Sequence, residues 1–189
     1  KDNENQISEP MRFLTFRAPT NNDSAVSKEW RMAGYDRSTV KVYETSIQET
    51  DGVIEIHSRF SIASPAKQPF LRLQAVWKVD LDGTIFLSLD GNFDKVFPYL
   101  PRFGLGLNLP NDKTDVTYYG YGPYESYSDK HRASWVDRFD TTVDDMFEDY
   151  VFPQENGSHY NCQYASVGNL YAKGKKPFSF QASRYSEKE

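Results

Sequence analysis

Apolar residues recur at every second position in three consecutive segments, and this period of two constrains the fold more than any other feature. In the middle segment, Leu71, Leu73 and Trp77 fall on one side of an extended chain. Arg72 and Lys78 fall on the other side. Such alternation is typical of a half-buried β-strand, because successive side chains of a strand point to opposite faces. The three segments are residues 53–63, 70–80 and 84–93.

Short turn sequences separate the alternating segments. Asp51-Gly52 and Asp82-Gly83 each lie between two such runs, which is a strong signal for a β-hairpin. A weaker strand is predicted at 39–48. Strands at about ten-residue spacing predict an all-β fold, an antiparallel sandwich or barrel. Further strands are predicted at residues 103–109, 116–121, 158–165 and 178–183.

Two segments carry helical signals. Residues 142–150 begin with a threonine that can cap a helix, and acidic residues follow it, so one short helix is predicted there. Residues 27–32 form a second candidate for a helical turn. Because roughly 100–200 residues make one domain, the 189 residues predict a single domain. The polar residues 1–10 are predicted to be disordered.

Composition excludes several classes of function. With 27 acidic and 22 basic residues the net charge is −5, and no basic cluster exceeds Lys173, Lys175 and Lys176, so nucleic acid is not an expected partner. No apolar run reaches the ~20 residues of a membrane span, so no membrane partner is expected. The single cysteine, Cys162, excludes an internal disulfide and Cys-rich zinc sites. A cytoplasmic location is expected, with a secreted or periplasmic parent left open.

Carboxylates are the first candidates for chemistry. Residues 137–155 contain seven acids without the spacing of a calcium loop, so a solvated face is favoured over a metal site. Glu125 and Glu155 lie among glycines and prolines in loops, where functional residues are common. A retaining glycosidase needs two carboxyl groups ~5–5.5 Å apart. The alternative is that both carboxylates accept backbone N–H bonds and hold irregular chain in place.

Two further alternatives involve aromatic residues and histidine. Residues 118–127 are rich in tyrosine, which predicts either core packing or a platform on which sugar rings stack, as in a stand-alone carbohydrate-binding module. His159 and Glu155, four residues apart, are the candidate His–Glu pair. Such a pair is what a mutarotase-like galactose isomerase or epimerase would need.

Four motifs in order resemble the C-terminal, small-chain domain of the large β-galactosidases of glycoside hydrolase family two. Residues 17–23 read RAPTNND and resemble the family's RAPxxND signature. Residues 120–129 read GYGPYESYSD and resemble its GxGPxExYxD segment. The third motif joins DRFD at 137–140 to YVFPQENG at 150–157, and the fourth is SRYS at 183–186.

The resemblance implies an antiparallel β-supersandwich like that of galactose mutarotases, here incomplete. It implies a parent enzyme that hydrolyses terminal β-D-galactosides such as lactose with retention. In the family the catalytic Glu pair lies on a preceding (β/α)₈ barrel, so no catalytic residue is expected in this chain and the isolated chain is expected to be inactive. No cofactor is expected here, and Mg²⁺ with Na⁺ or K⁺ is implied for the catalytic domain. The implied partners are the remaining domains or a large subunit, galactoside substrate through the complete enzyme, and further copies in a homo-oligomer.

The resemblance also assigns roles to residues. A loop beside the substrate cleft is implied at Asp23, Ser24, Ala25, Val26, Ser27 and Lys28, with a surface connector as the alternative. Ala25 stands where the family has glycine and Lys28 where it has an acid. Arg17 is expected to be paired and to fix the base of the loop. The residues with implied structural roles are Arg17, Asn22, Glu125, Asp137, Arg138 and Glu155.

Overall fold

The computed structural model describes residues 5–186 and consists mainly of antiparallel β-strands. The all-β class predicted from the sequence is confirmed. Within residues 5–186 there is one α-helix, α1 (Ser27–Ala33), so the helical signal at 27–32 is confirmed. The strands are β1 (Arg12–Leu14), β2 (Thr39–Thr50), β3 (Val53–Ala63), β4 (Leu71–Val79), β5 (Ile85–Phe93), β6 (Gly104–Gly106), β7 (Asp115–Gly122), β8 (Trp135–Thr142), β9 (Ser158–Val167) and β10 (Leu170–Gln181).

The chain divides into two compact units. The first contains Leu14–Phe16 and Asp23–Gly104, and the second contains the rest of residues 5–186. The short strands β1 and β6 pair with each other. The single domain predicted from chain length stays a prediction.

The first unit contains a four-stranded meander in the order β2-β3-β4-β5. The turn between β2 and β3 has positive φ at both Asp51 (52°) and Gly52 (80°), which is the backbone of a tight hairpin turn. Gly83, with φ 87°, lies in the turn between β4 and β5. Both predicted hairpins are therefore confirmed.

The helix α1 ends against the end of β3. Gly34 follows the helix in the left-handed conformation, and its amide donates to the carbonyls of Trp30 and Arg31. A Cβ on Gly34 would lie 2.0 Å from Ser64 Oγ, so the close approach also requires glycine. Trp30 is fully buried and its ring meets the edge of Tyr99 at 5.7 Å between centroids. The helix thus contributes its tryptophan to the core of the first unit.

The second unit contains a four-stranded sheet in the order β10-β9-β7-β8. Tyr118 lies at its centre, paired with Ala165 on one side and Phe139 on the other. One face of the sheet packs a buried cluster with the turn after β8. Its buried members are Val116, Tyr118, Val143, Met146, Cys162 and Ala165.

Some predicted boundaries are wrong. Residues 142–150 are not helical: residues 143–146 form a turn in which the Met146 amide donates to the Thr142 carbonyl at 3.2 Å. Strand β8 was not predicted, and β10 begins at Leu170 instead of residue 178. Of the predicted disordered terminus, residues 1–4 lie outside the described residues. Further along it, the Ser8 amide donates to the Asn108 carbonyl at 2.8 Å.

Candidate functional site

Glu125 is the centre of a buried polar cluster in the loop between β7 and β8. Its side chain is 5% exposed, and the loop begins with a cis Gly122–Pro123 peptide bond. Oε1 accepts hydrogen bonds from the Lys130 ammonium and from the Tyr150 hydroxyl. Lys130 also donates to the Tyr150 hydroxyl, at 2.8 Å.

The second carboxylate oxygen of Glu125 is equally engaged. Oε2 accepts from the Gly157 amide at 3.0 Å and from the Tyr127 hydroxyl at 3.3 Å. The carboxylate therefore has four donors, which come from its own loop and from the segment that leads into β9. A carboxylate with both oxygens occupied in this way fastens backbone segments together and has little capacity left to act as a nucleophile.

Electrostatics agree with this geometry. Burial by itself raises the pKa of Glu125, but the hydrogen bonds from Lys130, Tyr150 and the Gly157 amide outweigh burial and hold the pKa below its ordinary value. The hydrogen bond to Glu125 raises the pKa of Lys130. The pair is thus ionised at neutral pH.

Ser126 joins the same loop to strand β9. It is fully buried; its amide donates to the Ser158 carbonyl at 2.6 Å, and its hydroxyl accepts from the Tyr160 amide at 2.9 Å. The hydroxyl donates in turn to the Tyr121 carbonyl at 3.2 Å. Backbone groups that leave the sheet at the ends of β7 and β9 are therefore satisfied by Ser126 and Glu125.

Glu155 lies in the segment before β9 and is also buried, at 5% exposure. Burial first, and then the negative charges of Glu125 and Glu155, raise the pKa of Tyr127. Both motif glutamates therefore act on the same tyrosine. Their burial favours the structural role that the sequence offered as the alternative to catalysis, and that role stays a prediction.

A shallow concavity of about 200 Å³ lies above the cluster. Most of its lining residues are charged or polar in type, and the Glu125 carboxylate among them already accepts hydrogen bonds from four donors. The Glu125 carboxylate in this lining is therefore occupied in holding the loops in place. The lining residues are Tyr124, Glu125, Lys130, His131, Arg132, Ala133, Ser134, Glu148 and Tyr150.

His159 does not lie in an open site. It is 2% exposed, its Nδ1 is 3.0 Å from the Tyr121 carbonyl oxygen, and its ring packs on Tyr118 at 4.2 Å between centroids. Burial lowers its pKa. A buried neutral histidine inside a packed sheet has no route to a sugar, which argues against the isomerase alternative.

The tyrosines of residues 118–127 lie in different environments; Tyr124 is 58% exposed, and Tyr127 donates to Glu125. Tyr118 belongs to the core, whereas Tyr119 and Tyr121 lie on the opposite face of β7. Tyr119 stacks on Tyr164 at 6.1 Å, and Tyr121 stacks on Tyr160 at 6.1 Å. Rings that stack on one another leave less open face for a sugar, so the carbohydrate-binding alternative has little support here.

The segment implied to line a substrate cleft is only partly a loop. Asp23 ends a 3₁₀ turn and is buried, and residues 24–26 form an exposed or half-exposed turn. Ser27 and Lys28 form the first turn of α1, so they are helical and not part of the loop. The loop proper is therefore Ser24, Ala25 and Val26, and its place beside substrate stays a prediction.

The remaining motif residues lie on other segments of the chain. Arg17 is half-buried and donates to the Ala18 carbonyl at 3.2 Å, while Asn22 is exposed in the 3₁₀ turn. Asp137 and Arg138 are exposed on β8, and Arg138 forms an ion pair with Asp140 at 2.9 Å. The Asn21 amide, next to Asn22, donates to Gln154 Oε1 at 3.4 Å, so the RAPTNND and YVFPQENG motifs are in contact.

Lys130 and Tyr150 are the residues of the cluster that sequence reasoning missed. Tyr150 opens the YVFPQENG motif, which was a usable signal, and Lys130 directly follows the GYGPYESYSD motif. Among residues 5–186, no group of three or more His, Cys, Asp or Glu side chains is placed to hold a metal ion. No helix in that range is long and apolar enough to cross a membrane.

The fold and the cluster define a class: an all-β domain in which the buried Glu125 carboxylate accepts hydrogen bonds from four donors. The chain belongs to the β-galactosidase small chain family, whose model matches residues 1–189. The resemblance inferred from the four motifs is thereby confirmed.

Three curated relatives support the same family. The chain is 38% identical over 183 residues to a β-galactosidase of Actinobacillus pleuropneumoniae, covering 97% of this chain and 18% of that protein. It is 35% identical over 193 residues to a β-galactosidase of Staphylococcus xylosus, covering 100% and 19%. For a β-galactosidase of Vibrio cholerae the identity is 30%, covering 96% and 18%. The chain thus spans less than a fifth of the length of these relatives.

Proposed function

We propose that this chain is a non-catalytic part of a retaining β-galactosidase that hydrolyses terminal β-D-galactosides such as lactose. In this proposal the chain packs on the catalytic barrel, its Ser24–Val26 turn lines the substrate cleft, and two catalytic glutamates lie elsewhere. The observation that carries it is the state of Glu125, a buried carboxylate with four donors. Such a group cannot serve as one of two glutamates spaced ~5–5.5 Å apart around a glycosidic bond.

The relatives supply the rest of the support. Each named relative is a β-galactosidase about five times as long as the matched region, which leaves room for a barrel of roughly 250 residues. The described residues do not fit a Mg²⁺ site, because no group of three or more acidic, histidine or cysteine side chains is gathered. In this proposal, as the resemblance implies, Mg²⁺ with Na⁺ or K⁺ is held by the catalytic part, and the complete enzyme is a homo-oligomer whose contacts this chain helps to support.

Separating this chain from the rest of the enzyme tests the proposal. The 189-residue chain and the remainder of the enzyme are prepared separately and assayed with o-nitrophenyl β-D-galactoside. We expect no hydrolysis by the chain, little by the remainder, and recovery when the two are produced together. Robust hydrolysis by the chain alone, or full activity of the remainder alone, would contradict the proposal.

A further inference from the structure

One face of the β2–β5 sheet carries two rows of apolar side chains that run across its strands. The strands pair so that Ile47 lies opposite Ile56, Ile56 opposite Trp77, and Trp77 opposite Leu87. In the neighbouring row Ile54 lies opposite Val79 and Val79 opposite Ile85, whereas the β2 residue opposite Ile54 is Glu49. We call these residues the apolar rows: Ile47, Ile56, Trp77 and Leu87, followed by Ile54, Val79 and Ile85.

The opposite face of the same sheet carries charged side chains that are partly exposed to solvent. Glu55 lies there with Lys78, at 2.5 Å between Oε1 and Nζ, and with His57, at 3.1 Å. These side chains are about one third to one half exposed. A sheet with one polar and one apolar face is usually one layer of a two-layer structure, because a second layer must bury its apolar face.

The apolar rows continue a face that is buried further along the same strands. Toward the end of β3 that meets α1, Phe60, Ile62 and Leu73 are 1–6% exposed. In the apolar rows, Ile47 is 68% exposed and Ile85 is 57% exposed. The hydrophobic face therefore extends beyond the area that residues 5–186 cover.

We infer that the apolar rows are the docking face for an apolar layer supplied by the rest of the enzyme, outside these 189 residues. This inference rests on the proposed function. The length of the relatives supplies the occupant, because more than four fifths of each lies outside the matched region. A largely apolar face of this kind, on which Glu49 at the edge strand is the charged residue of the two rows, marks an interface, since exposed apolar patches are costly on a free surface.

Ile85 and Phe86 provide a matched test. They are adjacent in β5, lie on opposite faces, and are 57% and 55% exposed. Ile85→Cys and Phe86→Cys are each placed in the complete enzyme and labelled with a maleimide; native Cys162 is fully buried. We expect the cysteine at 85 to react at least tenfold more slowly than the cysteine at 86. Reaction rates within twofold of each other, whether both fast or both slow, would overturn the inference.

Two additions make the test decisive. Ile47→Cys with Gln48→Cys repeats the comparison on β2 if either first variant fails to fold, with the same expectation. Protection at residue 85 that disappears on dilution, while the polypeptide stays intact, would identify a second copy as the occupant and would also overturn the inference. Galactosidase activity is measured separately on the wild-type enzyme. If the enzyme does not hydrolyse galactosides while the cysteine at 85 is protected, the proposed function is refuted and the docking face is still supported.

Discussion

Lys130 and Glu125 form an ion pair between very different environments: the lysine side chain is 60% exposed and the glutamate side chain is 5% exposed. The carboxylate is therefore removed from water, while its counter-ion keeps most of its hydration. The free-energy cost of removing a charge from water is offset only when hydrogen-bonding or charged partners replace the lost hydration. Tyr150, Tyr127 and the Gly157 amide are those additional partners.

We expect Glu125→Gln to destabilise the fold by about 1.5–3 kcal/mol, the range for hydrogen bonds to a charged group. The amide keeps the shape of the side chain but loses the ion pair, and its NH₂ group faces donors. Urea unfolding of the chain measures the change. Glu44→Gln is the control, since Glu44 pairs with Arg59 at 3.4 Å in an exposed position and should change stability by less than about 1 kcal/mol. Equal effects of the two substitutions would contradict the role given to Glu125.

Stability should also depend on pH through Glu125. Its pKa is lower in the folded chain than the ordinary 4.5, so its ionised form contributes stability above that pH, and the contribution falls as pH drops through the folded pKa. The difference in unfolding free energy between wild type and Glu125→Gln should therefore be constant from about pH 7 to pH 5 and shrink below 4.5. A difference that does not change on acidification would show that the charge of Glu125 is not what stabilises the loop.

Gly120 allows a test of the second unit's core. A Cβ on Gly120 would lie 2.6 Å from Cys162 Sγ and 2.9 Å from its Cα, so Gly120→Ala must displace backbone of β9. We expect a loss of about 1–3 kcal/mol, typical of overpacking. Gly104→Ala is the matched control, because nothing lies within 4 Å of its Cβ position. A lower unfolding temperature for Gly104→Ala than for Gly120→Ala would contradict the packing described for β7 and β9.

The turn at residues 24–26 gives a prediction about activity. If it lines the cleft, Ala25→Trp in the complete enzyme should lower kcat/KM for a galactoside several-fold without lowering the unfolding temperature, because Ala25 is exposed and makes no core contact. Asn111→Trp, in another exposed turn, should leave kcat/KM unchanged. Unchanged kinetics for Ala25→Trp would make the turn a surface connector.

The strands of the first unit could be predicted because each has one apolar and one polar face. In β4, Leu73 is buried and Gln74 is exposed, so the period of two in the sequence reflects the two faces directly. Strand β8 lacks this contrast. Most of its side chains are exposed, among them Asp137 and Arg138, and its position comes from pairing with β7, which no local pattern encodes.

The wrong helix has a physical cause. The predicted cap does form, since the Asp145 amide donates to Thr142 Oγ1 at 3.2 Å. A cap starts a turn, but a helix needs an apolar stripe to bury over further turns. Val143 and Met146 reach the core, whereas Phe147 is exposed, so the chain forms a single turn and no helix.

The candidate site could be predicted only in part. Glu125 and Glu155 were visible because acids among glycines and prolines stand out locally. The partnership between Glu125 and Tyr150 joins residues 25 positions apart and depends on how the loops fold over the end of the sheet. The spacing of the two residues in the sequence does not predict that contact.

The central claim, that the bond-breaking carboxylates lie outside these residues, can be tested by trapping the glycosyl-enzyme intermediate. A retaining glycosidase forms a covalent bond from its nucleophile to the sugar, and a 2-deoxy-2-fluoro-galactoside makes that intermediate long-lived. The complete enzyme is inactivated with this reagent, digested, and the labelled peptide is located by mass spectrometry. We expect the label on a glutamate outside residues 1–189; a label on Glu125, Glu155 or any other residue of this chain would contradict the claim.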